Sequence, residues 1–179
     1  QRLLRLINNI IDIEKFDNHK LKLDLENINI VNLIEDIISS INPYAKSKNL
    51  RIIFDTNDED IVMALDCAKI ERVLLNLLSN AIKFSYVDGI IYVNVNKKEE
   101  NVIISIRDFG IGMSEKYLDK IFDRFIQVDN TMTRKNEGSG IGLSIVKSFV
   151  SLHNGNISVK SKENEGSEFI INLPINLIE

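Results

Sequence analysis

The sequence has one cysteine in 179 residues, Cys67, so neither an intrachain disulfide nor a cysteine-based zinc cluster can form, as suits a reducing compartment. Alone, it reads as a small hydrophobe buried in the core. No apolar run approaches the length needed to cross a bilayer, and no signal-peptide pattern leads the chain. Positive charge is not in excess either: 22 Lys and Arg stand against 26 Asp and Glu, a net charge of -4. With no basic, aromatic-interleaved stripe, nucleic acid is not an expected partner, and neither is a membrane. Repeats and low-complexity tracts are absent. The first residue is Gln1, not Met, and it falls inside an apolar pattern, so the chain is expected to be a piece of something longer. What remains is a 44% apolar composition, enough for one compact, soluble domain with a core and a short appendage.

Residues 1–16, QRLLRLINNIIDIEKF, set Leu3, Leu6, Ile10 and Ile13 at alternating spacings of three and four, with Leu4, Ile7 and Ile11 widening the stripe. One helix alone leaves so broad an apolar face uncovered, which points to a member of a helical bundle or dimer ending at the polar DNHK break. KLKLDL then alternates as a strand with Leu21, Leu23 and Leu25 on one side. VNLIEDIISSINPYAKSKN reads as a helix despite Pro43, and LRIIFD and DIVMALD as short strands. Asp66 is suited to cap a helix over 67–84, where Ile70, Val73, Leu74, Leu77, Leu78 and Ala81 form a single apolar face. After an Asp88-Gly89 turn, IIYVNVN and NVIISIRD alternate as a hairpin joined by KKEE. SIVKSFVSLHNG is a helix with Gly155 placed to end it, and NISVKSK and SEFIINLP form a last hairpin around ENEG. The pattern gives an α+β domain: a mixed, largely antiparallel sheet with helices on one face, not a βαβ array.

IRDFGIGM, residues 106–113, contains the Asp-Phe-Gly of a protein kinase, yet the His-Arg-Asp loop and upstream glycine-rich loop of such an enzyme are missing. Gly138, Gly140 and Gly142 follow G-x-G-x-G, which is not the dinucleotide fingerprint, and no Walker A pattern occurs. The signal lies in a combination. On the 67–84 helix, Asn76, Asn80 and Lys83 share a polar stripe away from the apolar face. Two amides and an ammonium suit a metal-bridged phosphate, although a solvated helix flank has the same composition. Asp108 continues the phase of Ile104 and Ile106 towards the core-facing side, where an unpaired carboxylate is expensive. It needs a donor. The exocyclic amine of adenine is one, and Gly110 and Gly112 let backbone and base approach without Cβ interference. The glycines over 138–142 open a helix whose free N–H groups can hold phosphate oxygens.

NLLSNAIKFS, DFGIGM, IFDRFIQVD and GSGIGLSIVK resemble, in order and spacing, the N, G1, F and G2 boxes of the sensor histidine kinases of two-component systems. The opening helix with DNHKLKLDLENINI resembles the end of that family's dimerisation and phosphoacceptor domain and its link to the catalytic domain, and EGSEF resembles its last glycine box. The resemblance covers nearly the whole chain. It implies a two-layer α/β sandwich of the Bergerat type, shared with gyrase, mismatch-repair ATPases and heat-shock chaperones. The implied divisions are a bundle helix over 1–18, a linker and first strand over 19–30, and a catalytic domain over 31–179.

The same resemblance implies ATP and Mg²⁺ as ligands, with Asn80 on the metal, Asn76 supporting the metal and phosphate site, and Lys83 on phosphate. Phe84 and Leu143 would lie beside the nucleotide, and Asp108 would accept the adenine amine in a pocket shaped by Gly110 and Gly112, with Ser167 next to it. A lid over about 121–139 would be anchored by Phe122 and Phe125, leave Arg124 available to the γ-phosphate, and end at Gly138, Gly140 and Gly142. The implied partners are a response-regulator receiver domain and, in the full-length protein, a second copy through the bundle; the implied setting is cytoplasmic.

Two departures matter. Gln127 stands where many relatives carry Arg, leaving Arg134 or Lys135 as substitutes. The phosphoacceptor histidine is missing: His19 lies in a break before Lys20 and His153 at a helix end before Asn154, which suit surface or capping roles. Transfer to a histidine upstream of Gln1, for relay to a regulator aspartate, is therefore expected. The alternative is an ATPase that drives conformational change, but such relatives carry Glu one turn before the metal-binding Asn. Here that position is Asn76, which is no base at neutral pH. A degenerate domain kept for dimerisation or partner binding is the third reading, and the intact boxes argue against it.

Overall fold

The computed structural model describes residues 21–127 and 140–178. The bundle helix expected over 1–18, together with His19, Arg134, Lys135 and Gly138, lies outside the described residues. In chain order the elements are β1 (Glu26–Asn29), α1 (Ile30–Ser47), β2 (Arg51–Thr56), β3 (Val62–Leu65), α2 (Cys67–Phe84), β4 (Ile90–Lys98), β5 (Asn101–Asp108), α3 (Gly142–Leu152), β6 (Asn156–Lys162) and β7 (Gly166–Pro174). One sheet runs in the order β2-β4-β5-β7-β6 and a two-stranded ribbon pairs β1 with β3. Only β2 and β4 run parallel in the larger sheet; its other pairs are antiparallel.

The helices follow from caps and stripes. Asn29 Oδ1 accepts the N–H groups of Val31 and Asn32 to start α1, and Asp66 Oδ1 accepts the N–H of Lys69 to start α2. The buried residues of α1 (Ile30, Val31, Ile34, Ile37, Ile41, Ala45) and of α2 (Ile70, Val73, Leu74, Leu77, Leu78, Ala81, Ile82) recur at three and four. They meet the buried phase of the sheet: Ile91, Val93 and Val95 on β4, Val102, Ile104 and Ile106 on β5, and Phe169, Ile171 and Leu173 on β7. The opposite phase stays at least partly open, so the helices cover one face only. No helix among the described residues is long and apolar enough to cross a membrane.

Three expectations need correction. KLKLDL alternates in burial, but the strand is Glu26–Asn29. The partner β3 is only four residues long and yields to α2 at Asp66, so the Asp24 N–H goes to the Asp66 carboxylate instead of a ladder. Cys67 is exposed at the first position of α2, although its spacing of three from Ile70 and seven from Leu74 continues the apolar stripe.

At the end of α3 the left-handed residue is Asn154 (φ 57), not Gly155. The Asn154 N–H bonds to Ser151 O and the Gly155 N–H to Val150 O, which completes a Schellman motif one residue earlier than expected. Gly155 is needed for space: a Cβ there would lie 2.6 Å from Asn172 O. Asn154→Ala should therefore cost about 1 kcal/mol and lower the thermal midpoint by about 2–4 °C, which calorimetry would detect.

Candidate functional site

Asn76, Asn80 and Lys83 are half-buried along one side of α2. Asn76 Nδ2 donates to Arg72 O, and a Cβ on Gly142 would lie 2.8 Å from Asn76 Oδ1, so α3 begins against the Asn76 side chain, which a larger residue at 142 would push aside. Farther along, the Arg72 guanidinium lies 5.1 Å over the Phe149 ring, and the Asp66 N–H donates to His153 Nε2 at 3.0 Å. The partners 76/142, 72/149 and 66/153 descend on one helix as they rise on the other, so α2 and α3 lie antiparallel. Asn29 and Asp66 cap α1 and α2, whereas the N-cap of α3 is Ile141, which makes no side-chain cap. A helix start whose N-cap side chain has no acceptor to offer, set beside Asn76, fits an anion such as phosphate. The Lys83 ammonium lies 4.6 Å over the Phe84 ring, at the far end of the same stripe.

Asp108 is a buried carboxylate, 5% exposed at the end of β5. Burial pushes its carboxyl up to about 6, against the lowering effect of the Gly110 and Ser167 N–H groups. Those two donors leave room on a carboxylate with about four lone-pair sites. The walls are backbone. A Cβ on Gly110 would lie 1.9 Å from Phe84 O, one on Gly112 (φ +61) 1.9 Å from Lys162 O, and one on Gly166 (φ +96) 2.1 Å from Asp108 O. Ile111 N–H donates to Phe84 O and Asn164 N–H to Ile111 O, which ties the end of α2, the glycine loop and the β6–β7 turn into one rim. A buried acceptor inside a glycine-lined rim suits the amine edge of a flat base.

The base of the expected lid is described over 121–127. Phe122 meets Phe169 edge-on with ring centres 6.4 Å apart, as an anchor should. Phe125 does not anchor by its ring, which is 67% exposed; its N–H does so instead, donating to Gly140 O at 2.8 Å and closing the loop at its root. Arg124 is not gathered with Asn76, Asn80 and Lys83. It lines a cleft of about 370 Å³ with Phe122, Asp123, Ser144, Lys147, Ser148 and Ser151. Those α3 residues recur at three and four on the side turned away from Gly142.

A sequence profile described as Histidine kinase-, DNA gyrase B-, and HSP90-like ATPase matches residues 66–177. The chain belongs to this family. Histidine kinase P4 of Formosa agariphila is 36% identical over 97% of the chain, which spans 13% of that protein. Sensor histidine kinase WalK of Bacillus subtilis is 37% identical over 97% of the chain, which spans 29% of it. The catalytic domain of histidine kinase ThkA has a TM-score of 0.75 at 28% identity, covering 86% of this chain and 97% of that one. ThkA in complex with the response regulator protein TrrA has a TM-score of 0.78 at 25% identity, covering 98% of this chain and 48% of that one.

As a member of the histidine kinase, gyrase B and HSP90-like ATPases, the chain is built to bind ATP, and its site is consistent with that. Among the described residues no three His, Cys, Asp or Glu side chains converge on a metal. The amide oxygens of Asn76 and Asn80 are hard donors of the kind that suits a Mg²⁺ ion, which commonly takes few protein ligands and fills its shell from phosphates and water.

Sequence reasoning missed Ser161 near this site, and of His153, at the opposite end of α3, it gave the capping role but not the burial. His153 is 6% exposed, not at the surface: it caps α3 and also receives the Asp66 N–H. Ser161 accepts the N–H of Met113 at 2.9 Å, next to the glycine loop. The signal for Ser161 was present, since it follows Ile157 and Val159 in the core phase of β6. The contact of His153 with Asp66 had none, because the two lie 87 residues apart.

Proposed function

We propose that the chain is the ATP-binding catalytic part of a sensor histidine kinase. It transfers the γ-phosphoryl group of ATP to a histidine on the helical bundle that precedes it, for relay to a response-regulator aspartate. The catalytic domain spans 31–179, after a linker over 19–30 and the end of a bundle helix over 1–18. Its setting is cytoplasmic, and it contacts neither nucleic acid nor membrane. The complex of ThkA with TrrA supports a receiver domain as partner, and the broad apolar stripe of residues 1–16 supports pairing with a second copy.

In this reading Asp108 accepts the adenine amine between Gly110 and Gly112, with Ser167 beside it and Phe84, Leu143 and Phe122 around the nucleotide. Asn80 holds Mg²⁺, Asn76 and Lys83 serve the phosphates, and the start of α3 at Gly140 and Gly142 turns N–H groups towards them. Bound Mg²⁺ supplies charge neutralisation on the phosphates; the chain supplies position. Arg124 reaches the γ-phosphate only after the lid base leaves its cleft on the far side of α3.

The observation that favours transfer over hydrolysis is Asn76. Its amide donates to Arg72 O and its oxygen lies against Gly142, and an amide so held does not take a proton from water. Mixing the chain with ATP and a separately made bundle bearing the upstream histidine should give acid-labile phosphate on the bundle, lost in Asn80→Ala. Steady release of free phosphate with an unlabelled bundle would favour the ATPase reading instead.

A further inference from the structure

Three strands each carry a polar side chain where their core-facing phase meets the glycine rim. Asp108 follows Ile104 and Ile106 on β5, Ser161 follows Ile157 and Val159 on β6, and Ser167 precedes Phe169 and Ile171 on β7. The register pairs Asp108 with Ser167 and Ser167 with Ser161. The three side chains therefore stand in one row across the sheet, on the helix-covered side. Directly opposed residues have Cβ atoms about 4.5–5.5 Å apart, and Ser161 and Ser167 are in hydrogen-bond contact through their hydroxyls while the Ser167 N–H donates to Asp108.

Their direction can be counted. Ser161 Oγ lies 2.8 Å from Gly166 O and 2.9 Å from Ser167 Oγ, and it accepts the Met113 N–H at 2.9 Å. A hydroxyl has one proton and a carbonyl has none to give. The Ser161 proton must go to Gly166 O, or two oxygens would face each other with nothing between them. The contact with Ser167 is then a hydrogen bond only if Ser167 donates. Its proton is thereby committed inside the sheet, and Ser167 Oγ offers lone pairs alone. The ionised carboxylate of Asp108, next in the row, is likewise an acceptor only.

We infer that Ser161 is a positioning residue for base selectivity. By accepting the Ser167 proton it keeps the Asp108–Ser167 pair acceptor-only, so the pocket takes a purine with an amine at position 6 and rejects one with a carbonyl there. The inference rests on the ATP reading above and adds to it a residue that does not touch the base. Removing the Ser161 hydroxyl frees the Ser167 proton to turn towards a 6-carbonyl oxygen, which gains a hydrogen bond where it met a repulsion.

The test is the ratio of dissociation constants for ITP and ATP, which differ only in the 6-carbonyl and its ring proton, measured by competition against a fluorescent ATP analogue. Ser161→Ala should lower that ratio about tenfold, the size of one neutral hydrogen bond. Ser161→Thr, which keeps the hydroxyl and suits a strand, should restore the parental ratio. Ser161→Cys puts a poor acceptor in the same space and should follow the alanine variant, which covers the case in which alanine does not fold. A loss of stability alone weakens both nucleotides together and leaves the ratio where it was; an unchanged ratio in a folded Ala or Cys variant overturns the inference. Failure of the parent chain to bind ATP at all would remove the nucleotide reading and the inference together, whereas ATP binding with an unchanged ratio removes only the inference.

Discussion

Asp108→Asn should stabilise the nucleotide-free protein and at the same time weaken its hold on ATP. Burial raises the Asp108 carboxyl from 3.8 to about 6, which makes its charged form about 3 kcal/mol less favourable folded than unfolded above pH 6. Asparagine removes that charge and keeps an oxygen for the Gly110 N–H. Its Nδ2 then needs an acceptor of its own, so the expected gain at pH 8 is nearer 2 kcal/mol, or about 4–8 °C in thermal midpoint. The same exchange turns a charged acceptor into a neutral amide and should weaken ATP about ten- to a hundredfold. Saturating ATP should therefore raise the melting temperature of the parent more than that of the variant and close the gap between them. Equal ATP affinity in the two proteins would remove Asp108 from the base site.

The pH dependence follows with opposite signs for stability and binding. The folded value of Asp108 lies above the unfolded one, so the folded chain holds the extra proton between them. Its contribution to stability is full below 3.8 and is lost as pH rises through about 6. ATP binding needs the carboxylate ionised and so weakens as pH falls below about 6. Near pH 5 about a tenth of the carboxyl is ionised, and affinity should fall about tenfold relative to Asp108→Asn measured in parallel. A buried, costly charge that stabilises only when a donor arrives is characteristic of a recognition group rather than a structural one.

Much of this was legible in the chain because it is written in local periods. The helix over 67–84, with Asp66 as its cap, and the strand phases around Ile104 and Ile106 depend on neighbours within a turn or a hairpin. The Asp108 phase was readable for the same reason. What failed depends on distant lengths and contacts. KLKLDL has the alternation of a strand, but its ladder stops where β3 runs out. Asn154 takes the left-handed position ahead of Gly155, because Gly155 is claimed by the close approach of Asn172. Phe125 is apolar and lies in the lid box, yet its ring stands exposed while its backbone closes the loop. Arg124 has the right charge, but the side of α3 on which it lies is decided by tertiary packing.

The largest loss of stability from a polar substitution is expected at His153. Its Nε2 accepts the Asp66 N–H, so the imidazole is neutral and carries its proton on Nδ1, which donates to Phe149 O at 2.8 Å. Through Asp66 it also reaches the leading segment: the Asp66 carboxylate takes the Asp24 N–H, the Lys69 N–H and the Lys69 ammonium. Burial alone would raise the Asp66 carboxyl, but those bonds, led by the Lys69 side chain, hold it below its ordinary value. His153→Leu leaves the buried Asp66 N–H without a partner and should cost about 2–3 kcal/mol, while His153→Gln, which offers an amide oxygen, should recover part of it. Burial also depresses the His153 value below 6.5, with the Asp66 carboxylate opposing and Lys69 assisting. Its contribution is therefore present above 6.5 and lost as pH falls through the folded value, the reverse of Asp108 over the same range. Urea titrations from pH 7.5 to 5 should bracket the parent, with Asp108→Asn losing stability more steeply and His153→Gln less steeply. Parallel curves for all three would mean that neither group titrates differently in the folded and unfolded chain.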